Sequence, residues 1–327
     1  MQDQYGRNID YVRISITDRC NLRCTYCMPE EGIAAQLCHD DLLTYEEILR
    51  LVGCMAGLGI SKIKLTGGEP LVRLGCCDLV RQLKAVEGIS QVTITTNGVL
   101  LEEMAGPLLE AGIDGINVSL DTVEREVFAR ITRRDAFDKV MAGLEKVKQF
   151  KFPNLKINCV PLVQFNQEQI VQLAAQAKDY PLAVRFIELM PIGLAQSYTA
   201  VDKQQIMQLL TAAFGPLTAY SGRLGNGPAE YYSLPGFQGK IGFIGAIHNK
   251  FCGRCNRIRL TSNGFLKLCL NQNKGIELLP LLRNGCSDAI LTEKIVEALW
   301  QKPLEHHFYE AGKQQDTDSR QMFQVGG

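Results

Sequence analysis

The order of β-rich and helical segments constrains the fold of this 327-residue chain more than any other feature. From residue 11 to about residue 190, short β-rich runs alternate with segments that carry apolar residues at helical spacing, such as Thr44–Leu58 and Phe137–Phe150. This order predicts parallel strands with helices outside the sheet. The six runs are Tyr11–Thr17, Lys62–Thr66, Gln91–Thr96, Gly115–Leu120, Leu155–Leu162 and Ala183–Leu189. We therefore predict an α/β fold over residues 1–195, a partial (β/α)6 TIM-like barrel instead of a closed eight-fold one.

The second part of the chain has a different pattern. After about residue 195, short β-rich runs follow one another through turns rich in Gly and Asn, and two helical patterns come after them. The runs are Leu217–Leu224, Glu230–Leu234, Lys240–Ile247, Arg257–Leu260 and Phe265–Leu268, and the helices are expected near Ile276–Arg283 and Thr292–Trp300. This pattern predicts a smaller α+β extension over residues 196–312. Residues 313–327 are polar, and we expect them to form a flexible tail.

Composition and charge argue against several classes of protein. Hydrophobic residues make up 46% of the chain, which is enough to bury a sizeable core. Lys and Arg number 35, and so do Asp and Glu, so no net basic field is available to hold nucleic acid. No apolar stretch approaches the length of about 18 residues that a membrane helix needs. Met1–Asn8 is polar, without the apolar core of a signal peptide, and we expect a cytoplasmic protein with no membrane partner.

Twelve cysteines are the most informative part of the composition. Without a secretory signal they are expected in a reducing compartment where disulfides do not persist, so metal ligation becomes the leading explanation. Six of them form two tight groups, a first of Cys20, Cys24 and Cys27 and a second of Cys252, Cys255 and Cys269. We interpret the scattered others as small buried hydrophobic side chains or incidental thiols. These are Cys38, Cys54, Cys76, Cys77, Cys159 and Cys286.

The first cysteine group follows the first predicted strand, at the end where parallel barrels place their active sites. Three thiolates on a [4Fe–4S] cluster leave one iron without a protein ligand, and that iron can bind the amino and carboxylate groups of S-adenosylmethionine. Structural zinc is the alternative, but it takes four ligands, and only Cys38 and His39 are close in sequence. The second predicted strand ends in Gly67-Gly68-Glu69-Pro70, and glycines let backbone approach a ligand closely. The two features together favour the cluster.

The second cysteine group lies in the predicted extension. Its spacing suits either a zinc knuckle that lacks a fourth ligand or a second cluster with an open iron. Arg257 and Arg259 follow immediately, and residues two apart on a strand point to the same face. Two guanidinium groups beside the second cysteine group are suited to phosphate or a base edge, with a solvated strand face as the alternative.

Five stretches together resemble the GTP 3′,8-cyclase (MoaA) family of the radical S-adenosylmethionine superfamily, almost from end to end. They are Arg13-Ile-Ser-Ile-Thr-Asp-Arg-Cys-Asn-Leu-Arg-Cys-Thr-Tyr-Cys-Met-Pro29, Thr66-Gly-Gly-Glu-Pro-Leu71, Arg185-Phe-Ile-Glu188, Phe251-Cys-Gly-Arg-Cys-Asn-Arg-Ile-Arg-Leu260 and Gly326-Gly327. The resemblance implies the radical S-adenosylmethionine type of partial barrel, two [4Fe–4S] clusters and S-adenosylmethionine as cofactors.

The resemblance also assigns roles to residues. It implies that the six grouped cysteines, Cys20, Cys24, Cys27, Cys252, Cys255 and Cys269, are iron ligands. The implied S-adenosylmethionine contacts are Tyr26, Gly68, Ser119 and Met190. The implied GTP contacts are Arg13, Lys64, Thr95, Lys156, Arg257, Ile258 and Arg259, and Gly326 and Gly327 are implied to enter the active site and take part in catalysis. Lys64 stands where the family leads us to expect Arg, a change that keeps the charge and loses the bidentate fork.

The implied activity is that of a lyase that converts GTP to 3′,8-cyclo-7,8-dihydro-GTP, the first step of molybdenum cofactor biosynthesis. In that reaction a 5′-deoxyadenosyl radical takes a ribose 3′ hydrogen, and the sugar radical attacks C8 of guanine. The implied partners are GTP, an electron donor, the next enzyme of the pathway (cyclic pyranopterin monophosphate synthase) and a second copy of the chain in a homodimer.

Two other functions stay open at this point. One is a peptide-modifying radical S-adenosylmethionine enzyme with an auxiliary cluster, although such extensions usually carry more cysteines than these three. The other is a zinc-stabilised interaction or RNA-binding module, which would be expected to show a basic, aromatic-rich surface. Zero net charge and 7% aromatic residues argue against that module.

Overall fold

A computed structural model describes residues 1–33, 37–308 and 318–326 of the chain. The strands are β1 (Tyr11–Ser15), β2 (Lys62–Thr66), β3 (Gln91–Thr96), β4 (Gly115–Ser119), β5 (Leu155–Cys159), β6 (Ala183–Ile187), β7 (Thr218–Tyr220), β8 (Glu230–Ser233), β9 (Lys240–Ile244), β10 (Arg257–Leu260), β11 (Phe265–Lys267) and β12 (Gly275–Glu277). The helices are α1 (Tyr45–Gly57), α2 (Cys76–Ala85), α3 (Leu101–Glu110), α4 (Arg125–Thr132), α5 (Phe137–Gln149), α6 (Ile170–Ala175), α7 (Lys203–Phe214), α8 (Leu279–Arg283), α9 (Asp288–Trp300) and α10 (Met322–Val325).

All twelve strands belong to one sheet, in the order β12-β11-β10-β1-β2-β3-β4-β5-β6-β9-β8-β7. The eight central strands, from β10 through β1–β6 to β9, are parallel to one another. On each side two outer strands follow, and each of them pairs antiparallel with the strand before it. Strands β10 and β9 come from the second part of the chain, yet they flank the six-stranded unit on its two sides. The chain between β9 and β10 therefore crosses from one side of the partial barrel to the other, and it carries Cys252 and Cys255.

The predicted α/β fold and partial barrel are confirmed, and all six predicted runs of the first part are strands that begin where predicted. Four of them are shorter at their carboxyl ends, because residues there turn into loops; Gly68 N–H, for example, donates to Thr17 O at 2.8 Å. The helix expected near Ile276–Arg283 is wrong in its first part. Ile276 pairs with Leu266 in the sheet, and the helix begins only at Leu279.

Helix α1 illustrates how local sequence builds the outer layer. Thr44 and Glu47 form a capping box, in which Glu47 N–H donates to the Thr44 hydroxyl at 3.1 Å and Thr44 N–H donates to the Glu47 carboxylate at 2.8 Å. The helix then buries Ile48, Leu51 and Met55 in the core that it shares with apolar strand residues. No helix in the described ranges is long and apolar enough to cross a membrane.

The end of the chain is anchored over residues 318–326, which does not fit the expected flexible tail. Asp318 pairs with the fully buried ammonium of Lys267, and its backbone N–H donates to Asn271 O at 2.9 Å. Phe323 and Val325 of α10 are 5% and 2% exposed. Residues 313–317 and Gly327 lie outside the described residues. The proposed boundaries at residues 195 and 312 stay predictions, since strands from both parts share one sheet.

Candidate active site

The inner face of the parallel sheet surrounds a cavity of about 370 Å³. Because side chains alternate along a strand, every second residue points into it. They are Tyr11 and Arg13 on β1, Lys64 and Thr66 on β2, Gln91, Thr93 and Thr95 on β3, Gly115, Asn117 and Ser119 on β4, Lys156 and Asn158 on β5, Arg185 and Ile187 on β6, and Arg257 and Arg259 on β10. A closed TIM barrel fills this space with apolar side chains. This cavity, the lumen, instead receives six Lys and Arg side chains from the strands, so it is suited to bind an anionic ligand.

The first cysteine group lies in the loop after β1, and all three thiols line the lumen. The loop turns back on itself, with Cys27 N–H and Met28 N–H donating to Cys24 O at 2.9 and 3.0 Å. Leu22 N–H and the Asn97 amide donate to the Cys20 sulfur at 3.4 and 3.7 Å.

Burial controls the protonation of these thiols. It raises the pKa of Cys20 to about 11 and that of Cys27 to about 12, and it raises the pKa of Cys24 as well, with neighbouring cysteines adding to the effect at Cys24 and Cys27. The three groups are thus thiols at neutral pH. Ligation of iron displaces three protons, as metal binding by cysteine does in general.

Gly67 and Gly68 bring the end of β2 against the cysteine loop. A Cβ at Gly67 would lie 2.6 Å from Thr17 O, and a Cβ at Gly68 would overlap the carbonyls of Asp18 and Arg19. The next residue, Glu69, is 1% exposed and accepts from Thr96 Oγ1 at 2.7 Å and from Asn97 N–H at 2.6 Å. Burial raises its pKa to about 7. This carboxylate therefore ties the ends of β2 and β3 together beneath the first cysteine group.

The four residues predicted to contact S-adenosylmethionine, Tyr26, Gly68, Ser119 and Met190, all line the same lumen. The Tyr26 hydroxyl donates to Asp121 Oδ2 at 2.6 Å, and Val160 N–H donates to Asp121 Oδ1 at 2.8 Å. Burial raises the pKa of Asp121 to about 6. Sequence reasoning did not identify Asp121 as a site residue, although it stands two residues after the end of β4.

The second cysteine group also faces the lumen. Cys252 and Cys255 lie in the crossing between β9 and β10, and Cys269 follows β11. Burial acts to raise the pKa of Cys255, but the positive charges of Lys302 and Arg257 outweigh it and the pKa is lowered. The backbone N–H of His306 donates to the Cys252 sulfur.

The donor chemistry of both groups fits iron–sulfur clusters. All twelve cysteines are free of disulfides, and each group presents three thiols to the lumen and receives a backbone N–H bond at one sulfur or more. Thiolates are the ligands that [4Fe–4S] clusters take, and N–H bonds to sulfur are among the features that tune them. Over residues 1–33, 37–308 and 318–326, no three His, Cys, Asp or Glu side chains are grouped as ligands of a single metal ion.

A cluster of cations occupies the lumen between the strands. It contains five predicted GTP contacts, Arg13, Lys64, Lys156, Arg257 and Arg259, together with Arg185, to which sequence reasoning assigned no role.

Lys64 shows the electrostatics of this cationic cluster. Its pKa is lowered well below the ordinary value by burial and then by four neighbouring cations, Arg185, Arg13, Lys156 and Arg257. So many like charges destabilise one another unless an anion lies among them.

Neighbouring side chains hold this cationic cluster in place. Arg185 donates to Asn117 Oδ1 at 2.9 Å and to Asn158 Oδ1 at 2.6 and 2.9 Å. The Asn117 amide donates in turn to the hydroxyl of Thr95 at 3.4 Å, which places this predicted GTP contact beside the cations. Ile258 belongs to the apolar core as well as to the cavity wall, so its backbone is what it offers to a ligand.

The anchored tail, residues 318–326, reaches the lumen beside the first cysteine group and beside the cationic cluster. Phe323 N–H donates to the sulfur of Cys27, and Arg259 donates to the carbonyls of Val325, at 3.4 Å, and Gly326. Gly326 has φ +77°, and a Cβ on it would overlap the hydroxyl of Thr66. Only glycine suits that position without strain. The structure thus brings Gly326 to the site, whereas Gly327 lies outside the described residues.

Comparisons with known proteins agree on one family. The Radical SAM superfamily model matches residues 14–177, and the Molybdenum Cofactor Synthesis C model matches residues 182–308. A GTP 3′,8-cyclase of Clostridium perfringens (strain 13) is 44% identical over 327 residues, 100% of both chains, and one of Pelotomaculum thermopropionicum is 44% identical over 330 residues, again 100% of both.

Solved structures add information on the fold alone. Streptococcus suis SuiB bound to its precursor peptide SuiA has a TM-score of 0.61 at 14% identity, over 91% of this chain and 66% of that one. Native anSMEcpe with bound AdoMet has a TM-score of 0.57 at 16% identity, over 91% and 82%.

Proposed function

We propose, from the fact that the chain belongs to the GTP 3′,8-cyclase family of radical S-adenosylmethionine enzymes, that it converts GTP to 3′,8-cyclo-7,8-dihydro-GTP, the first step of molybdenum cofactor biosynthesis. The observation that carries this function is the lumen itself. A single cavity is lined by both cysteine groups and by seven Lys and Arg side chains, the six of the cationic cluster and Lys302, so it offers places for two clusters and for a triphosphate.

The cofactors are two [4Fe–4S] clusters and S-adenosylmethionine. When bound, they supply the electron, the 5′-deoxyadenosyl radical and an open iron for the guanine edge. Cys20, Cys24 and Cys27 are the residues that would hold the first cluster, and Cys252, Cys255 and Cys269 would hold the second. In this assignment all six are ligands and none is a nucleophile.

The contribution of the protein is to hold and orient the substrate. Arg13, Lys64, Lys156, Arg257 and Arg259, joined by Arg185, would bind the triphosphate by charge-assisted hydrogen bonds. Because the strands and hydrogen bonds such as those of Arg185 to Asn117 and Asn158 hold these cations close together, little reorganisation is needed on binding. The surrounding strands exclude water from the reacting ribose, as a radical reaction requires.

The proposed S-adenosylmethionine contacts are Tyr26, Gly68, Ser119 and Met190, at the strand ends beside the first cysteine group. Tyr26 is fixed by its hydrogen bond to Asp121, so its backbone and ring are held at one position. Gly68 supplies backbone in close approach. Gly326, whose carbonyl accepts from Arg259, and Gly327 are proposed to act in catalysis.

Several aspects of the cellular setting are part of the proposal. An electron donor is needed because the reaction begins with a reduction, and cyclic pyranopterin monophosphate synthase is the proposed recipient of the product. A homodimer and a cytoplasmic location are proposed as well. Twelve free thiols support a reducing compartment.

The test is anaerobic turnover. Protein reconstituted with iron and sulfide is incubated with GTP, S-adenosylmethionine and a reductant, and the products are identified by mass spectrometry. We expect 3′,8-cyclo-GTP, methionine and 5′-deoxyadenosine from the native chain and none of them from Cys24→Ala. Formation of 5′-deoxyadenosine with unchanged GTP would contradict the proposed substrate.

A further inference from the structure

The N-terminal segment forms part of the second cysteine site, 245 residues away in sequence. Arg7 is 7% exposed, and its guanidinium donates to Cys252 O at 3.0 Å and to the carbonyls of Pro303 and Leu304 at 2.8 Å each. Asp3, also buried, holds the guanidinium from the opposite side, with 2.6 Å between Nη2 and Oδ2. Arg7 therefore joins the crossing that carries Cys252 to the segment that follows α9.

A second buried cation stands on that same segment. Lys302 is 2% exposed, and its ammonium donates to Arg257 O at 3.0 Å and to Leu268 O. Arg257 comes two residues after Cys255, and Leu268 comes directly before Cys269. Arg7 also donates to the carbonyl of Lys302 itself, at 3.4 Å, so the two cations form one connected unit.

This unit touches the chain beside all three cysteines of the second group. Arg7 holds the carbonyl of Cys252, and Lys302 holds the segments of Cys255 and Cys269. No shared strand fixes these three positions, since two lie in a crossing loop and the third follows β11. The carbonyl bonds from the two cations thus set the relative positions of the three cysteine-bearing segments.

The buried positive charge of Lys302 also has to be explained, because burial of a charge is unfavourable. The Lys302 ammonium has no counter-charge among the carbonyls to which it donates, and burial of a cation with neutral partners is costly. A [4Fe–4S] cluster with three thiolate ligands is net negative and becomes more so on reduction. Positive charge beside it offsets this, and it stabilises the reduced form more than the oxidised form.

We propose that Arg7 and Lys302 are positioning residues of the second cluster, which hold its three cysteine segments together, and that the charge of Lys302 raises its reduction potential. The inference rests on the proposed function in one respect, the assignment of Cys252, Cys255 and Cys269 as ligands of a cluster. Neither residue needs to touch GTP in this role.

The experiment isolates the second cluster. Cys20, Cys24 and Cys27 are replaced by Ala in the full-length chain, so that iron bound after anaerobic reconstitution belongs to the second group. Into this background are introduced Lys302→Met and Arg7→Met, which remove the charge, and Lys302→Arg and Arg7→Lys, which keep it. Lys294→Met is the matched control, because it removes a lysine charge from an exposed ion pair with Glu297.

The measurements are iron per chain and the midpoint potential, from a redox titration followed by electron paramagnetic resonance. The background and the Lys294→Met control should hold about four irons per chain. We expect Lys302→Met and Arg7→Met to lose at least half of that iron. In Lys302→Met the remaining cluster should also be reduced at a more negative potential, because the Lys302 ammonium donates to neutral carbonyls whereas Arg7 is paired with Asp3. Arg7→Lys should lose iron with little change in potential, because it keeps the charge and loses the fork that reaches several carbonyls.

Iron content and potential equal to the background in all four variants would overturn the inference. If the Met variants do not fold, as judged by circular dichroism, the charge-preserving variants decide: full iron content in Arg7→Lys would refute the positioning role. A background protein that binds zinc in place of iron, or no iron at all, would instead refute the assignment of the second cysteine group on which the proposed function depends.

Discussion

Lys156 is a residue of the lumen whose charge is expected to respond to an anion bound there. Burial and the nearby Arg185 lower its pKa from 10.5 to about 7. Between these values the native state binds fewer protons than the unfolded chain, so the free energy of unfolding gains from Lys156 as the pH rises from about 7 towards 10.5. Below pH 7 the charged lysine is a full cost to stability.

A bound triphosphate reverses this preference, and a proton should therefore be taken up on binding. An anion beside Lys156 raises its pKa, so we expect GTP to bind with proton uptake near pH 8 and more weakly as the pH rises from 7 to 9. Calorimetry in two buffers of different ionisation enthalpy measures the uptake. Lys156→Arg, which stays charged throughout this range, is the control and should take up fewer protons. Equal uptake by both proteins would show that another group titrates.

Arg257 and Arg259 allow a prediction about affinity. Each points into the lumen from β10, and hydrogen bonds to charged groups contribute about 1.5–3 kcal/mol each. Replacement of either by Ala should weaken GTP binding by about that amount and leave S-adenosylmethionine affinity nearly unchanged. Equilibrium binding of both ligands is the measurement, and Arg50→Ala, outside the lumen, is the control. Wild-type GTP affinity in both Ala variants would mean that these arginines serve only the fold.

At the scale of elements, the tail 318–326 carries the next prediction. Gly326 sits at φ +77° against Thr66, and its carbonyl accepts from Arg259. Deletion of Gly326 and Gly327, or their replacement by Ala, should leave fold, iron content and GTP affinity intact and remove most cyclisation activity. The product is measured under anaerobic conditions beside the iron content.

A matched control for this strained position exists elsewhere in the chain. Gly285 has a similar φ of +74°, and a Cβ on it would meet nothing within 4 Å. Gly285→Ala should therefore report the backbone strain alone. Full turnover by the truncated chain would show that the tail has a structural role only.

The sequence pattern predicted a helix or strand well where its formation depends on neighbouring residues in the chain. The six strands of the first part begin at the predicted residues, because alternation and flanking turns are properties of a few neighbouring residues. The pairing of β10 with β1 and of β9 with β6 was beyond such patterns, since it depends on contacts between distant segments. For the same reason the carbonyl bonds of Arg7 were not foreseen.

The site was predictable to a similar degree. The grouped cysteines and Gly-Gly step have fixed spacings, so they are visible in sequence. Arg185 was given no role, although a charged residue inside the otherwise apolar run Ala183–Ile187 is a signal that a strand faces a polar interior. Asp121 was given no role because its partner Tyr26 is 95 residues away.

At the scale of the whole molecule, two cysteine groups predict the iron content. Anaerobically reconstituted protein should hold about eight irons per chain, and Cys24→Ala about four, on the arithmetic of four irons per cluster. Cleavage of S-adenosylmethionine should vanish in Cys24→Ala. Iron and sulfide analysis with visible absorption checks this, and Cys286→Ala, a thiol outside both groups, is the control. Stoichiometric zinc without iron–sulfur absorption would contradict the assignment.

The cationic lumen also affects how the protein behaves in ordinary laboratory solutions. Any small polyanion that enters it relieves repulsion among the six cations, so it acts as a stabiliser of the native state by mass action, worth about 2.7 kcal/mol at a concentration one hundred times its dissociation constant. Pyrophosphate, sulfate and phosphate should raise the melting temperature of the apoprotein, in order of their charge. The same anions should compete with GTP, which makes the choice of buffer part of any affinity measurement on this chain.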